Sequence, residues 1–293
     1  MKFRKVYIEI TNQCNLSCRF CPKTDREPLF MDEALFDAIC GQLRGLARRL
    51  YLHVMGEPLL HPRLAAYLDI CSFYGHGVNL ITNGTLLAKR GGDLLEAPAL
   101  RQLSVSLHSH AQEGSEEDLR AYLRDIRDFA ARAAFRGDFI VQLRLWNKGA
   151  DDPAVMLRSI RETFGLTAAL KQRLNDRRSF MLGKNLCIDS VEPFEWPSLS
   201  GKDYGDKGTC LGLRKQCAIL ADGEVTACCL DNNGALGCGT VKERALTDIL
   251  SGTRATAIRR GFEQGAIVEP LCRRCSYRLR FSPGSGLTPC QDA

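Results

Sequence analysis

Short stretches of alternating apolar and polar residues take turns with longer stretches in which apolar residues recur at helical spacing. Val6, Ile8 and Ile10 alternate with polar neighbours and predict a strand that runs towards Cys14. Leu35, Ile39, Leu43 and Leu46 then follow at helical spacing, with Asp32 placed to cap that helix. Residues 51–55 predict a second strand and 63–74 a second helix. A third strand over 78–82 is stopped by Asn83-Gly84 and followed by a helix over 86–95. A fourth strand (103–107), a long charged helix (116–136), a fifth strand (139–146), a helix (153–164) and a sixth strand (180–188) complete the series. Repeated strand–helix order predicts a parallel sheet with helices against it, open or curled into a barrel. In either form, catalytic residues belong at the C-terminal ends of the strands.

The rhythm stops at 189–209, a stretch rich in Pro, Gly, Ser and Asp that reads as a linker or an active-site cover. A different unit follows. Residues 218–220 and 225–227 flank Ala221-Asp222-Gly223-Glu224, a hairpin signal, and 246–262 reads as one helix leading to Cys272 and Cys275. The expected organisation is an α/β domain over 1–200, a small hairpin-plus-helix domain over 205–281 and a tail over 282–293. Neither an internal repeat nor a low-complexity tract is visible.

Composition narrows the class. The 293 residues are 45% hydrophobic and 25% charged, which suits a globular protein and excludes a disordered one. No run reaches the roughly 18–20 apolar residues of a membrane span, and the basic N-terminus lacks the apolar core of a signal peptide. A cytoplasmic protein with no membrane partner is expected. The net charge of +6 is compatible with an acidic peptide, an anionic metabolite or a nucleic acid, and selects none. Basic residues are dispersed, and the densest group, 254–260, reads as a solvated helix face, so nucleic acid is not favoured. The fourteen cysteines change the picture most. In a reducing compartment, clustered cysteines bind metal or catalyse rather than form disulfides.

Cys14, Cys18 and Cys21 form C-x3-C-x2-C directly after the first strand. Three thiolates can hold three irons of a [4Fe–4S] cluster and leave the fourth iron open for chemistry. Phe20 sits between the last two cysteines, where its ring can shield such a cluster. A zinc site completed by His53, His61 or Cys40 is the alternative that spacing leaves open.

The stretch QCNLSCRFC resembles the signature of the radical S-adenosylmethionine (SAM) superfamily. The resemblance implies a partial (β/α)6 TIM-like barrel. It also implies a [4Fe–4S] cluster whose open iron chelates SAM, and reductive cleavage of SAM to a 5′-deoxyadenosyl radical that abstracts hydrogen from a substrate. Met55-Gly56-Glu57-Pro58 resembles the family's Gly-Gly-Glu-Pro turn, with Met55 in place of the first glycine. Thr82-Asn83-Gly84, Ser104 and Ser106 fall where the family contacts the ribose and carboxylate of SAM, and Arg144 can pair with that carboxylate in a bidentate geometry. The residues expected to position SAM are therefore Phe20, Gly56, Glu57, Thr82, Asn83, Ser106 and Arg144. His53, His108, Trp146 and Asn147 also fall on or just after strands, where they can face a substrate or pack in the core.

Cys210, Cys228, Cys272 and Cys275 form a second constellation, similar to the SPASM/Twitch extension of many radical SAM enzymes. No further cysteines occur in 277–281, so the shorter Twitch-like form with one auxiliary four-cysteine [4Fe–4S] cluster is expected. A structural zinc is again the alternative. Cys217 and Cys229 compete as ligands, and neighbours Cys228 and Cys229 point to opposite faces of a regular strand. Cys40, Cys71 and Cys187 read as small hydrophobes, while Cys238 and Cys290 have no clear partner.

The resemblance implies a radical SAM oxidoreductase with a low-potential donor such as flavodoxin or ferredoxin, and an auxiliary cluster that handles the substrate electron. Relatives act on peptides, proteins or small molecules. Peptide or protein modification ranks ahead of small-molecule dehydrogenation in this reading. The thirteen residues before Cys14 leave no room for a peptide-recognition domain, so a separate binding protein or residues 189–209 would have to serve. A non-catalytic electron-transfer or binding protein with two metal sites is the reading from another class.

Overall fold

The structure is a computed structural model that describes residues 2–110, 115–146, 153–166, 170–177, 179–191 and 194–281. In chain order, β1 (Lys5–Ile8) leads through the cysteine loop to α1 (Glu33–Leu43) and β2 (Arg49–Tyr51). Asp32 caps α1 by accepting from the Ala34 and Leu35 amides, and the helix buries Phe36, Ile39, Cys40 and Leu43. Then come α2 (Leu64–Phe73), β3 (Gly77–Thr82), α3 (Leu87–Glu96), β4 (Leu100–Ser106) and α4 (Glu116–Ala133). A capping box between Ser115 and Asp118 starts α4. The series continues with β5 (Ile140–Trp146), α5 (Pro153–Thr163), α6 (Leu170–Asp176), β6 (Ser179–Gly183) and β7 (Leu186–Val191). Last are β8 (Gln216–Ile219), β9 (Val225–Thr226), α7 (Leu246–Ser251), α8 (Thr253–Glu263) and α9 (Pro270–Arg273).

Three expectations change. The strand foreseen over 51–55 ends at Tyr51, where the His53 amide turns back to the Tyr51 carbonyl (2.9 Å), and the Met55 amide beyond it donates to the buried Glu9 carboxylate (3.0 Å). The stretch 180–188, foreseen as one strand, is a hairpin: Asn185 takes φ +63, and β6 turns back antiparallel on β7. The helix foreseen over 246–262 is two, broken at Gly252, where the Ser251 hydroxyl donates back to the Thr247 carbonyl and ends α7. The short helix α6 has no counterpart in the sequence reading.

The chain divides into two compact units. The first gathers Met1–Gln13, Pro22–Gly56 and Phe194–Ala293. Within it, β1 pairs in parallel with β2 on one side and β8 on the other, and β9 runs antiparallel to β8. Val6, Ile8, Ile39, Leu43, Leu50, Ile219 and Ile258 form its dry core. The second unit gathers Cys14–Cys21 and Glu57–Pro193. Its strands β3, β4, β5 and β7 are parallel neighbours in that order, and β6 edges them antiparallel. The strands present two unlike faces. Leu80, Leu103, Val105, Val141, Leu143 and Ile188 are fully buried on one. On the other lie Asn79, Gln102, Ser104, Gln142 and Asp189, joined by hydrogen bonds from strand to strand. Among the described residues no helix is long and apolar enough to cross a membrane.

Candidate cluster and SAM sites

The cysteine loop of the second unit is short and tied down at several points. The Cys21 amide bonds the Cys18 carbonyl (3.2 Å), closing a turn that brings those residues together. The Leu16 amide points at Cys14 Sγ (3.5 Å), and Cys18 Sγ donates to the Ser109 carbonyl (3.8 Å). All three cysteines are free thiols, Cys14 exposed and the others half-buried. Loss of solvent around the Cys14 thiol raises its pKa most, the Leu16 amide opposes this, and Glu57, Cys18 and Cys21 add to the rise. Three soft sulfur donors within electrostatic reach on one open loop fit a three-thiolate iron–sulfur cluster, whose binding deprotonates them. Phe20 lies against His108, ring centroids 5.0 Å apart, beside this loop. Burial lowers the His108 pKa to about 4, so the ring is neutral at neutral pH, and its Nδ1 meets the Arg144 carbonyl at 3.3 Å.

The Gly-Glu-Pro turn is a clamp. Glu57 is fully buried. Its carboxylate accepts from the Leu59 amide (3.0 Å), the Thr82 hydroxyl (2.6 Å) and the Asn83 amide (2.7 Å). Burial raises its pKa to about 7 against those three hydrogen bonds. Glu57 thus faces the end of β3. Gly56, in the first unit, has φ +77. A Cβ there would lie 2.8 Å from the Gln13 carbonyl oxygen and closer still to that of Thr11, so only glycine fits.

At the end of β3, Asn83 Nδ2 donates to Asn15 Oδ1 (2.9 Å) and lies 3.9 Å from Cys14 Sγ. The Tyr122 hydroxyl donates to the Asn83 carbonyl (2.7 Å), and Asn15 reaches Thr85 (2.9 Å). Asn15, Thr85, Ser109 and Tyr122, which sequence reasoning passed over, therefore fasten the cysteine loop to β3 and to the residues after β4. Ser106, Arg144 and Asp189 stand in register across β4, β5 and β7. Among the described residues no carboxylate lies within ion-pair distance of the Arg144 guanidinium, which leaves it open to an anionic group. One step back along the strands, Gln142 accepts from Gln102 (2.9 Å) and Ser104 (2.7 Å) and donates to Asp189 (3.3 Å). Ser104 is thus part of this polar row. The polar positions at every second residue of β4 and β5 were its only trace in the sequence. His53 packs edge-on to Tyr7 (5.4 Å) in the first unit. Trp146 is the last residue of β5, and Asn147 lies outside the described residues.

The first unit holds the second set. Cys210, Cys228, Cys272 and Cys275 all line one cavity, together with Phe262, Leu271 and Arg278. Burial raises the pKa of each of the four thiols, Cys210 to about 11, and mutual repulsion among the would-be thiolates adds to the rise at Cys210, Cys228 and Cys272. The Leu211 and Gly212 amides act on the Cys210 sulfur, and those of Tyr277 and Arg278 on Cys275, which favours thiolate there. Four cysteines around one apolar-walled cavity, with amides aimed at two of the sulfurs, fit an iron–sulfur cluster. The neighbouring Cys229 instead hydrogen-bonds Tyr7, and Cys217 is buried within β8. Cys40 and Cys71 are fully buried in helices, Cys187 and Cys238 are half-buried, and Cys290 lies outside the described residues.

Comparison with known proteins agrees with this geometry. The radical SAM superfamily matches residues 8–136, and an iron–sulfur cluster-binding domain, SPASM, matches 210–276. A SAM-dependent 2-deoxy-scyllo-inosamine dehydrogenase of Niallia circulans is 30% identical over 117 residues, 38% of this chain and 47% of that protein. The chain spans less than half the length of the curated relatives it matches. Among solved structures, BtrN in complex with AdoMet and 2-DOIA has a TM-score of 0.60 at 19% identity over 94% of both chains. SuiB of Streptococcus suis bound to the precursor peptide SuiA has a TM-score of 0.52 at 14% identity, over 94% of this chain and 71% of that one. These likenesses establish the mixed α/β fold of a TIM-like partial barrel with a C-terminal SPASM region. The chain belongs to the radical SAM superfamily of enzymes, whose cofactors are a [4Fe–4S] cluster and SAM, and carries a C-terminal SPASM region for auxiliary iron–sulfur.

Proposed function

We propose that the protein is a radical SAM dehydrogenase that oxidises a polar, hydroxyl-bearing small molecule. The observation that carries this reading is the polar row of Gln102, Ser104, Gln142 and Asp189 beside Arg144 on one face of the second unit. A row paired with itself holds donors and acceptors at fixed positions, where spare lone pairs and N–H groups can take the hydroxyls of a substrate. The dehydrogenase of Niallia circulans, similar over part of its length, acts on a molecule of that kind, which adds support. The peptide or protein substrate ranked first from sequence becomes the second reading. It is favoured by the fold likeness to SuiB, which binds a precursor peptide.

Cys14, Cys18 and Cys21 would hold the catalytic cluster, which when bound would supply the electron for reductive SAM cleavage and so the means of taking a hydrogen atom from the substrate. Phe20 covers that loop. Gly56, Thr82, Asn83, Ser106 and Arg144 position SAM, Arg144 by its guanidinium, while Glu57 acts through the turn it clamps. Cys210, Cys228, Cys272 and Cys275 would hold the auxiliary cluster, which would serve as one-electron acceptor for the substrate radical while the accompanying proton leaves to solvent. We place the domain boundaries at 1–200 and 205–281, with 282–293 a tail. The setting is cytoplasmic, with a flavodoxin or ferredoxin as donor.

The test is incubation of the reconstituted enzyme with reductant, SAM and either aminocyclitols and sugar alcohols or synthetic peptides. 5′-Deoxyadenosine should rise only with the hydroxylated small molecules, together with a product lighter by two hydrogens. Turnover confined to peptides would replace this reading with the second.

A further inference from the structure

Arg278 is an arginine almost without solvent contact, 2% exposed. Its guanidinium donates to four backbone carbonyls: Nε to Cys272 (2.9 Å), Nη1 to Lys207 (2.9 Å), and Nη2 to Tyr204 (3.0 Å) and Gly205 (2.7 Å). Each of these partners is neutral, and the one carboxylate that lines the same cavity as Arg278, that of Asp231, makes no ion pair with it but accepts from the Thr226 hydroxyl and the Ala235 and Leu236 amides. The surroundings are shaped to admit the group. Gly208 has φ +135, and a Cβ there would stand 2.7 Å from Arg278 Nη1. A buried cation without an anion is strongly unfavourable, and arginine cannot escape by losing its proton. An anion is therefore due at this place.

The same side chain lines the cavity of Cys210, Cys228, Cys272 and Cys275. Its charge acts on the thiols of Cys210 and Cys275, and its own backbone amide on the Cys275 sulfur. A [4Fe–4S] cluster with four thiolates is a dianion when oxidised and a trianion when reduced. Either form would offset the guanidinium, and the guanidinium would attract the trianion more strongly than the dianion. Burial makes that difference count, because little water screens it.

We infer that Arg278 is the counter-ion of the auxiliary cluster and sets its reduction potential, favouring the form that has taken up an electron. One electron enters the cluster, none enters Arg278, and no proton moves, since the guanidinium stays charged throughout. The side chain is thus a positioning residue for electron acceptance. The inference rests on the reading of the four cysteines as ligands of an auxiliary cluster.

The experiment uses the full chain with Cys14, Cys18 and Cys21 changed to alanine, so that only the auxiliary cluster is loaded. Iron content is measured first, then a potentiometric titration followed by EPR, in that background alone and with Arg278→Gln or Arg278→Lys added. Background protein without iron would fail the ligand reading itself, before Arg278 is tested. With iron present, Arg278→Gln should lower the reduced-to-oxidised ratio at a fixed potential by about tenfold, a shift of about 59 mV for one electron. Arg278→Lys, which keeps the charge, should hold the background value. Loss of the cluster in Arg278→Gln with retention and normal potential in Arg278→Lys also agrees. An unchanged potential in Arg278→Gln overturns the inference. So does equal loss or equal shift in both variants, which would make Arg278 a peg for the carbonyls it binds.

Discussion

Glu57 and Gln142 carry the site at the scale of single residues, and each gives a prediction. The folded pKa of Glu57 stands at about 7 against an ordinary 4.5. Between those values the folded chain keeps a proton that the unfolded chain has lost. The Glu57 contribution is therefore full below pH 4.5 and is lost as the pH rises through 7. In apoprotein, the stability difference between wild type and Glu57→Gln should fall by on the order of 3 kcal/mol across that window, by denaturant unfolding at several pH values. A flat difference would place the proton elsewhere. Gln142 makes three side-chain hydrogen bonds in the polar row. Gln142→Leu should raise the substrate KM by about tenfold or more while leaving substrate-free SAM cleavage unchanged, as steady-state and uncoupled assays would show. Equal loss of both would assign Gln142 to the SAM site instead. The cysteines were legible in the sequence because C-x3-C-x2-C is a local signal. Their supports were not. The Asn83–Asn15 and Asn15–Thr85 bonds close over 68 and 70 residues, and no local pattern announces such a pairing.

Between elements, the segment after Cys21 is held by the loop after Cys228-Cys229. Thr24 donates to the Asn232 carbonyl (2.9 Å) and Asn233 Oδ1 (2.8 Å). Asn232 returns a bond to the Lys23 carbonyl (2.6 Å), Asn233 one to Asp25 (2.9 Å), and Arg26 joins the buried Glu9 by bonds from two nitrogens. Asn233→Ala should raise amide hydrogen exchange at residues 23–26 by about tenfold, with the rest of the chain unchanged, by exchange mass spectrometry. Uniform acceleration would mean global destabilisation instead. The Gly56 turn gives a sharper contrast. Gly56→Ala drives a Cβ into backbone oxygens and should cost several kcal/mol, whereas Gly75→Ala, at φ +74 with open space around it, should cost about 1–2 kcal/mol. Thermal unfolding of the two variants compares them directly. The start of α1 was readable because its cap is local: Asp32 sits next to the helix it caps. The β6–β7 hairpin was missed because both arms continue one alternating apolar pattern, and the turn rests on Asn185 alone. The α7–α8 break was missed because the apolar spacing runs on through Gly252.

Across the whole molecule, the pairing of β1 with β8 joins the start of the chain to its C-terminal region. No periodicity foretells it, because a parallel ladder records nothing of the distance between its strands in sequence. The order of the motifs did survive the folding: the cysteine loop, the Gly-Glu-Pro turn and Asn83 each come after a strand, and Ser106 ends the next one. The central claim is that this radical SAM chain binds two clusters through two separate sets of cysteines. The most direct test is iron and acid-labile sulfide per chain after anaerobic reconstitution, for wild type and for the variant with Cys14, Cys18 and Cys21 all changed to alanine. Two [4Fe–4S] clusters predict about eight irons falling to about four. About four irons in wild type and none in the variant would contradict the account, leaving Cys210, Cys228, Cys272 and Cys275 without a cluster.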